Sequence, residues 1–206
     1  MPFSLTYITT GFLLGLTGLI PGPLLTLVIS ETLKHGKKAG IKIAASPLVT
    51  DLPIILVTIL IMSRLTNTDY VLGVIAFGGS IFMIYLAYES FLYRGISPDT
   101  NLQAGVLKKG IIANLLNPSP YIFWFTIGAP TIIKAFSESF INAALFIIIF
   151  YSVLVGSKVV IAVITGKVKN LLSSKYYLYL IRFLGIVLFL FAIYFIKNSL
   201  SYFDAI

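Results

Sequence analysis

Six long apolar runs, separated by short polar segments, constrain this chain more than any other feature of its sequence. An α-helix needs about 20 mainly apolar residues to cross the hydrocarbon core of a bilayer, and each run reaches that length. We therefore predict six transmembrane helices, at approximately Phe3 to Ser30, Ile41 to Ser63, Val71 to Tyr93, Gly110 to Ile133, Phe140 to Thr165 and Tyr176 to Ser199.

The composition excludes several classes of protein. Only 11% of the 206 residues are charged and 58% are hydrophobic, whereas a soluble domain has roughly 25% charged residues. The net charge of +8 lies between apolar runs and not on one polar face, so no nucleic-acid partner is predicted. The chain has no cysteine, which excludes disulfides and cysteine metal sites, and we predict no cofactor. The start lacks a basic segment, so the first run is expected to be a retained helix and not a cleaved signal peptide.

The basic residues indicate how the chain lies in the cell membrane. The first, third and fifth separators carry most of them, and such loops usually face the cytoplasm. We therefore expect a multi-pass protein of the cytoplasmic membrane, surrounded by lipid, with both termini outside. The basic residues of these three separators are Lys34, Lys37, Lys38, Arg94, Lys108, Lys109, Lys167, Lys169 and Lys175.

We predict a single transmembrane domain over residues 1–206 that is built from two inverted three-helix repeats. Repeat 1 covers about 1–95 and repeat 2 about 105–206, and an odd number of helices in each half gives the halves opposite topology. One internal similarity supports this all-α arrangement. Pro21, Gly22 and Pro23 in helix 1 correspond to the Pro-x-Pro of helix 4, formed by Pro118, Ser119 and Pro120.

Each Pro-x-Pro predicts a break in its helix. A proline inside a helix removes the hydrogen bond to the carbonyl four residues earlier. The first pair should therefore free the carbonyls of Thr17 and Leu19, and the second those of Asn114 and Leu116. Freed carbonyls in a membrane must face a cavity or a packed interior. The breaks then either line a substrate site or are packing kinks.

Two charged residues lie deep in predicted helices. Asp51, next to Thr50, is near the membrane midplane, where an aspartate should face the bundle interior and have a partner. It could bind a substrate ammonium group, carry a proton, or simply hold helices in register. Lys158 either extends to the interface or points inward, where it would be an ion-pair partner of Asp51 or the carboxylate anchor of a substrate, and the sequence leaves these roles open. Asn114 and Asn117 offer amides that donate and accept, which suits a zwitterion.

The remaining ionisable residues are less informative. Glu31 and Glu89 lie near cytoplasmic helix ends, where interfacial pairing is expected. His35, the only histidine, has no ligand-spaced partner in the sequence, so no metal site is predicted. Gly73, Gly78 and Gly79 are expected to let helix 3 pack closely against a neighbour.

Three motifs, in order and correctly spaced, resemble the lysine-exporter (LysE/RhtB) superfamily. They are Pro21-Gly22-Pro23 followed by the basic turn 35–40 and by Asp51, the helix 3 stretch 78–86, and the segment 110–118 that opens helix 4. The resemblance spans residues 10 to 125 and implies six helices, a homodimer, and proton-driven efflux of amino acids or related compounds. Its signature residues here are Pro21, Gly22, Pro23, Asp51, Asn117 and Pro118.

The chain departs from this family at three positions. Ser46 and Thr50 stand where many members have glycines, and Ser119 stands where many have a lysine after Asn-Pro. These differences change the polarity of the expected site.

The leading hypothesis is a secondary exporter of amino acids or related small polar zwitterions. The alternative is a metal-cation transporter of the same broad superfamily, although one midplane carboxylate is few for a hard cation. An intramembrane enzyme is excluded because the chain lacks a nucleophile–base set at membrane depth. A scaffold without transport gives no reason to bury Asp51 beside two broken helices.

Overall fold

The computed structural model describes residues 3–64, 68–92, 102–169 and 174–204, and the regular structure in these ranges is helical. A 3₁₀ turn (Leu16–Leu19) follows the first helix, and a π-helical turn (Trp124–Gly128) follows the seventh. The helices are α1 (Phe3–Gly15), α2 (Pro23–His35), α3 (Lys37–Ala44), α4 (Pro47–Arg64), α5 (Thr68–Leu92), α6 (Leu102–Leu115), α7 (Pro118–Phe123), α8 (Ala129–Glu138), α9 (Phe140–Lys169) and α10 (Ser174–Asp204).

Four described helical segments are long and apolar enough to cross a membrane, and a bent pair would make a fifth. The four are Lys37–Thr58, Leu72–Leu92, Phe140–Val168 and Leu178–Asp204. The fifth is the first predicted span, which bends by 58° between α1 and α2. The all-helical membrane fold is thus confirmed.

The predicted fourth span, Gly110 to Ile133, is not one continuous helix. It is divided among α6, α7 and α8, of 14, 6 and 10 residues, and none of these reaches spanning length alone. A break at Asn117 and the π-helical turn interrupt the backbone ladder between them.

Two predicted loops are helical instead. The first separator, Glu31 to Gly40, contains the end of α2 and the start of α3, joined at Gly36 with φ of +87°, a conformation that favours glycine. The fourth separator, Lys134 to Ser139, is largely the end of α8. Polar residues at the end of a membrane helix do not stop the helix, so the boundaries predicted from hydropathy were wrong here. Arg94 and the central part of the third separator lie outside the described residues.

The basic segments meet at one end of the helix bundle. Lys109 on α6 pairs with Glu89 at the end of α5, and Lys34 on α2 lies 3.6 Å from the same carboxylate. A β-carbon added to Gly166 near the end of α9 would lie 3.0 Å from the Lys37 side chain, so the fifth separator approaches the first. The described parts of the first, third and fifth separators therefore share one face, which we call the basic face.

Both ends of the described chain lie away from the basic face. Tyr7 on α1 packs with Ala135 and Ala143, where α8 ends and α9 begins. Tyr70 near the start of α5 lies 5.8 Å, ring centre to ring centre, from Phe203 at the end of α10. From these contacts α5 and α9 run to the basic face, and α1 runs to the first helix break.

Glycines on α5 allow close packing, as predicted, at two of the three positions. A β-carbon at Gly73 would lie 2.8 Å from the Phe203 ring, and one at Gly79 would overlap the Leu116 carbonyl. The prediction was wrong for Gly78, where a β-carbon would make an ordinary 3.5 Å contact. Gly79 therefore brings α5 directly against the break between α6 and α7.

We expect Gly79→Ala to lower the free energy of unfolding by about 1–3 kcal/mol, because the new methyl group overlaps backbone that cannot rotate away. Gly156→Ala on α9 is the matched control, since nothing lies within 4 Å of its β-carbon. Thermal unfolding of both variants in the same detergent measures the difference. Equal melting temperatures would contradict close packing at Gly79.

Candidate functional site

A cavity of about 460 Å³ lies where the two helix breaks meet α4, α9 and α10. Its walls are mainly apolar and aromatic, with a small set of polar groups. The polar side chains that line it are Thr17, Asp51, Asn114, Asn117, Ser119, Tyr194 and Lys158, and the break residues that line it are Pro21, Gly22, Pro23 and Pro120. One deep cavity with few convergent polar groups is the usual form of a small-molecule site.

The first break places the N-terminus of α2 at this cavity. Gly22 is extended, with φ of −156° and ψ of 175°, and Pro23 is the first residue of α2. A proline at the first position of a helix disrupts no hydrogen bond, because that N–H has no intrahelical partner. The prolines therefore start a new helix segment, and the N-terminus of α2 opens onto the cavity.

The second break follows the same pattern. Asn117 precedes α7 in an extended conformation, and its side-chain Oδ1 accepts a hydrogen bond from the Ser119 N–H at 3.0 Å. Pro118 is the first residue of α7. An asparagine cap satisfies one of the N–H groups that a helix start leaves open. Asn117 thus has a structural role as well as a place on the cavity wall.

The expectation that the prolines free the carbonyls of Thr17 and Asn114 was wrong. The Thr17 carbonyl accepts a hydrogen bond from the Ile20 N–H at 3.0 Å, and the Asn114 carbonyl accepts one from the Asn117 N–H at 3.3 Å. Both hydrogen bonds join a carbonyl to the N–H three residues later, as in a 3₁₀-helix. They tighten the last turn before each break and use carbonyls that the end of an α-helix would leave unpaired.

Asp51 is the centre of a buried hydrogen-bond network. Its side chain is 4% exposed. Oδ1 accepts a hydrogen bond from Asn114 Nδ2 at 3.2 Å, and Oδ2 accepts one from the Tyr151 hydroxyl at 2.9 Å. Asn114 Nδ2 also donates to Thr50 Oγ1 at 2.6 Å. The network joins α4 to α6 and α9, so the predicted partner of Asp51 exists and comes from two side chains, Asn114 and Tyr151.

Lys158 points into the cavity and does not extend to the interface. It is only 6% exposed, and its Nζ donates to the Leu154 carbonyl at 3.3 Å. A β-carbon added to Gly18 would lie 3.0 Å from the same Nζ. The absence of a side chain at Gly18 therefore leaves room for the ammonium group beside the first break.

Asp51 and Lys158 line one cavity without forming an ion pair. The ion pairs found in the described part of the chain all lie in a separate cluster near the basic face. Each charge instead has neutral hydrogen-bond partners from the protein. Two opposite charges that face shared space, and are not consumed by each other, can bind the two ends of a zwitterion.

Two predicted site residues lie behind the cavity wall. Thr50 and Pro118 are buried but do not line the cavity. Thr50 receives the hydrogen bond from Asn114 and itself donates to the Ser46 carbonyl at 3.0 Å. It supports the Asp51 network from outside and does not face the cavity.

Sequence reasoning missed Tyr151 and Trp124. No role was predicted for Trp124, which is 1% exposed and lines the cavity. For Tyr151 a signal existed, because it lies seven residues before Lys158, which is two turns along α9 and on the same face. Trp124 lies in the π-helical turn, where helical spacing gives no guide.

The geometry defines a class of protein: an integral membrane protein with a polar cavity between broken helices, which is an architecture found in membrane transporters. The sequence profile of the LysE type translocator family matches residues 16–199. The chain therefore belongs to the LysE type translocator family and is a transporter, not an enzyme. No curated protein and no solved structure matches the chain.

We expect Asn114→Ala to lower the free energy of unfolding by about 1–3 kcal/mol, because Asp51 and Thr50 both lose a buried partner. Asn198→Ala is the matched control, since this residue is partly exposed near the end of α10. Denaturation followed by tryptophan fluorescence checks this, because Trp124 packs beside the network. A loss no larger than that of the control would show that the network does not hold α4 to α6.

Proposed function

We propose that this translocator is a secondary active exporter of amino acids or related small zwitterions across the cytoplasmic membrane, coupled to protons. The observation that supports this best is the pair of unlinked opposite charges, Asp51 and Lys158, on one cavity. Asp51 suits a solute ammonium group and Lys158 suits its carboxylate. Both charges are nearly fully buried, so a zwitterion would give each of them an oppositely charged partner away from bulk water.

The breaks favour the same type of solute. The N-terminus of a helix carries a partial positive charge and open N–H groups, and α2 begins at the cavity with Pro23, Leu24 and Leu25 on the wall. Gly18 places Lys158 next to this break. The carboxylate end of a solute is therefore expected on the α1–α2 side of the cavity, and its ammonium end near the Asp51 network.

The remainder of the wall suits an apolar side chain. Phe123 and Phe150 stack with ring centres 5.3 Å apart, and Leu154 and Phe195 also line the cavity. A second charge on the solute would meet no partner on this wall and would lose its hydration. Neutral amino acids with apolar side chains fit this cavity better than dibasic or diacidic ones.

Proton coupling rests on Asp51. A carboxylate in a membrane span that faces a cavity is the usual carrier of a proton in secondary transporters. The hydroxyl of Tyr151 contacts Oδ2 of this carboxylate. When Asp51 is protonated, its attraction for an ammonium group falls. Proton binding and solute release are therefore coupled at the Asp51 carboxylate.

The remaining parts of the proposal concern arrangement in the membrane. The grouping of basic separators on one face supports a cytoplasmic basic face with both termini outside. The two breaks, each starting a helix with a proline, support two inverted repeats of about 1–95 and 105–206. A homodimer follows only from membership of the family.

A metal-cation transporter is less well supported by the cavity. A hard cation takes 6–8 oxygen ligands, or keeps several waters. Asp51 is the only carboxylate among the described cavity residues, and Lys158 adds a positive charge to the same space. Both features disfavour a divalent cation as the solute.

We expect Asp51→Asn to abolish the proton-dependent part of transport, because asparagine keeps the hydrogen-bonding shape and cannot bind a proton. The measurement is solute flux in proteoliposomes with and without an imposed pH gradient. Asp69→Asn is the matched control, since Asp69 is exposed at the start of α5. Gradient-driven flux at the wild-type rate in Asp51→Asn would remove this residue from the coupling mechanism.

We expect Lys158→Gln to weaken binding of a zwitterionic amino acid by about 10-fold to 100-fold, because one charge-assisted contact to the carboxylate is lost. Binding of the corresponding amino-acid methyl ester, which has no carboxylate, should change much less. Lys167→Gln, an exposed position on the same helix, is the control. Equal losses for the acid and the ester would show that Lys158 does not contact the solute carboxylate.

A further inference from the structure

A cluster of ionisable side chains lies at the basic face. Lys109 Nζ on α6 lies 2.6 Å from Glu89 Oε1 on α5 and 3.6 Å from Glu31 Oε2 on α2. Lys34 Nζ lies 3.2 Å from Glu31 Oε1 and 3.6 Å from Glu89 Oε1. His35 Nε2 lies 3.5 Å from Glu31 Oε2. We call these five residues the ion cluster.

Two members of the ion cluster are buried, since Glu31 is fully buried and Lys34 is 2% exposed, whereas His35, Lys109 and Glu89 are partly exposed. The pairing predicted for Glu31 and Glu89 is found, with Lys34 and Lys109 as partners. Neither carboxylate oxygen of Glu31 accepts a hydrogen bond among the described residues, so this side chain is held by ion pairs alone. Buried ion pairs add little net stability, because desolvation offsets the attraction. Such a cluster contributes little to the stability of one fixed conformation, so it suits a contact between helices that breaks and re-forms.

An apolar layer separates the ion cluster from the cavity. On α2, the buried Leu27 and Val28 lie between Pro23 at the cavity and Glu31 in the cluster. On α6, the buried Ala113 lies between Lys109 and the cavity residue Asn114. These residues belong to one packed apolar group, which also includes Met83 and Leu86 on α5, one to two turns before Glu89.

The distance from the cavity to the ion cluster, which the apolar layer fills, follows from helix geometry. The eight residues from Pro23 to Glu31 rise about 12 Å, and the five from Asn114 back to Lys109 rise about 7.5 Å. A solute approaching from the basic face would therefore cross two layers, first the ion cluster and then the apolar layer. In the described structure, buried side chains occupy the apolar layer, and the carboxylate of Glu31 is buried in the ion cluster.

We propose that the ion cluster and its apolar layer form a gate on the basic face, and that separation of Lys109 from Glu31 and Glu89 opens it. Lys109 is the link between the predicted halves of the chain, since Glu31 and Glu89 belong to the first half and Lys109 to the second. A translocator must expose its cavity to each side in turn, through movement of one half against the other. This movement would break the contacts of Lys109 and leave the pair on α2 intact.

A bound cation is a weaker explanation of the same residues. One oxygen each from Glu31 and Glu89 and one nitrogen of His35 lie within 4.8 Å of one another, so His35 does have carboxylate neighbours that its sequence position did not reveal. The ammonium groups of Lys34 and Lys109, however, already lie within 3.6 Å of these carboxylates. Two carboxylates balanced by two ammonium groups leave no charge for a metal ion.

The absence of cysteine from the chain allows a direct test. Ala113→Cys places a single thiol of similar size in the apolar layer, at a fully buried position. A membrane-impermeant maleimide is added separately to each face of sealed vesicles that contain the protein. The rate of labelling reports how often the layer opens, and to which side.

We expect Lys109→Gln to speed the labelling of Ala113→Cys from the basic face by about tenfold or more, because weakening the closed state by about 1.4 kcal/mol raises the open population tenfold. Lys108→Gln makes the same charge change at the exposed neighbouring residue and should label at the parent rate. Lys109→Arg keeps the charge and should also label slowly.

Equal labelling rates for Lys109→Gln and Lys108→Gln, or faster labelling from the opposite face alone, would overturn the gate. If Lys109→Gln does not fold, Glu89→Gln removes the same 2.6 Å contact from α5 and takes its place. No solute is needed for this measurement. Failure of the Asp51 experiment therefore leaves the gate standing, and failure of the gate leaves the proposed solute standing.

Discussion

The rest of the structure depends on one constraint, which is that backbone N–H and C=O groups inside a membrane must find partners within the protein. Two helices are interrupted here, and each interruption is handled by the same local means. A three-residue hydrogen bond closes the turn before the break, and a proline, whose missing N–H matters little at that position, begins the next segment. What remains open must face a protected polar space. The cavity lies where both interruptions meet because that is where such groups are tolerated.

The charged residues follow from this arrangement. A cavity already lined by helix ends can hold Asp51 and Lys158 at low cost, since each has neutral partners from neighbouring helices. The ion cluster is the opposite case, where charges neutralise one another around the buried Glu31. One set of charges is therefore available to a solute, while the other is occupied by the protein. This division separates binding from closure within a short chain.

Much of the site could be predicted from sequence because it depends on rare residues in an apolar background. Asp51, Lys158 and the two Pro-x-Pro motifs stand out since few polar residues occur at membrane depth. Trp124 could not be singled out in the same way, because aromatic residues are common throughout the chain and hydropathy does not show which side of a helix they occupy, whereas Tyr151 could have been found from its helical spacing to Lys158. The number of continuous membrane-spanning helices could not be predicted from hydropathy either, because hydropathy is averaged over a window that includes the break at Asn117 and the π-helical turn. The burial of Glu31 depends on the continuation of α2 to His35, and the polar sequence of this segment did not indicate a helix.

The carboxylates and ammonium groups of the ion cluster balance one another, with Glu31 and Glu89 opposed by Lys34 and Lys109. The energy that a membrane voltage supplies is proportional to the net charge that moves through it, about 2.3 kcal/mol per charge at 100 mV. Opening of the gate, however, separates Lys109 from Glu31, Glu89 and Lys34, which together carry a net charge of −1. Any part of this separation that lies along the membrane normal moves charge through the field, so the speed of opening would differ between a polarised and a depolarised cell.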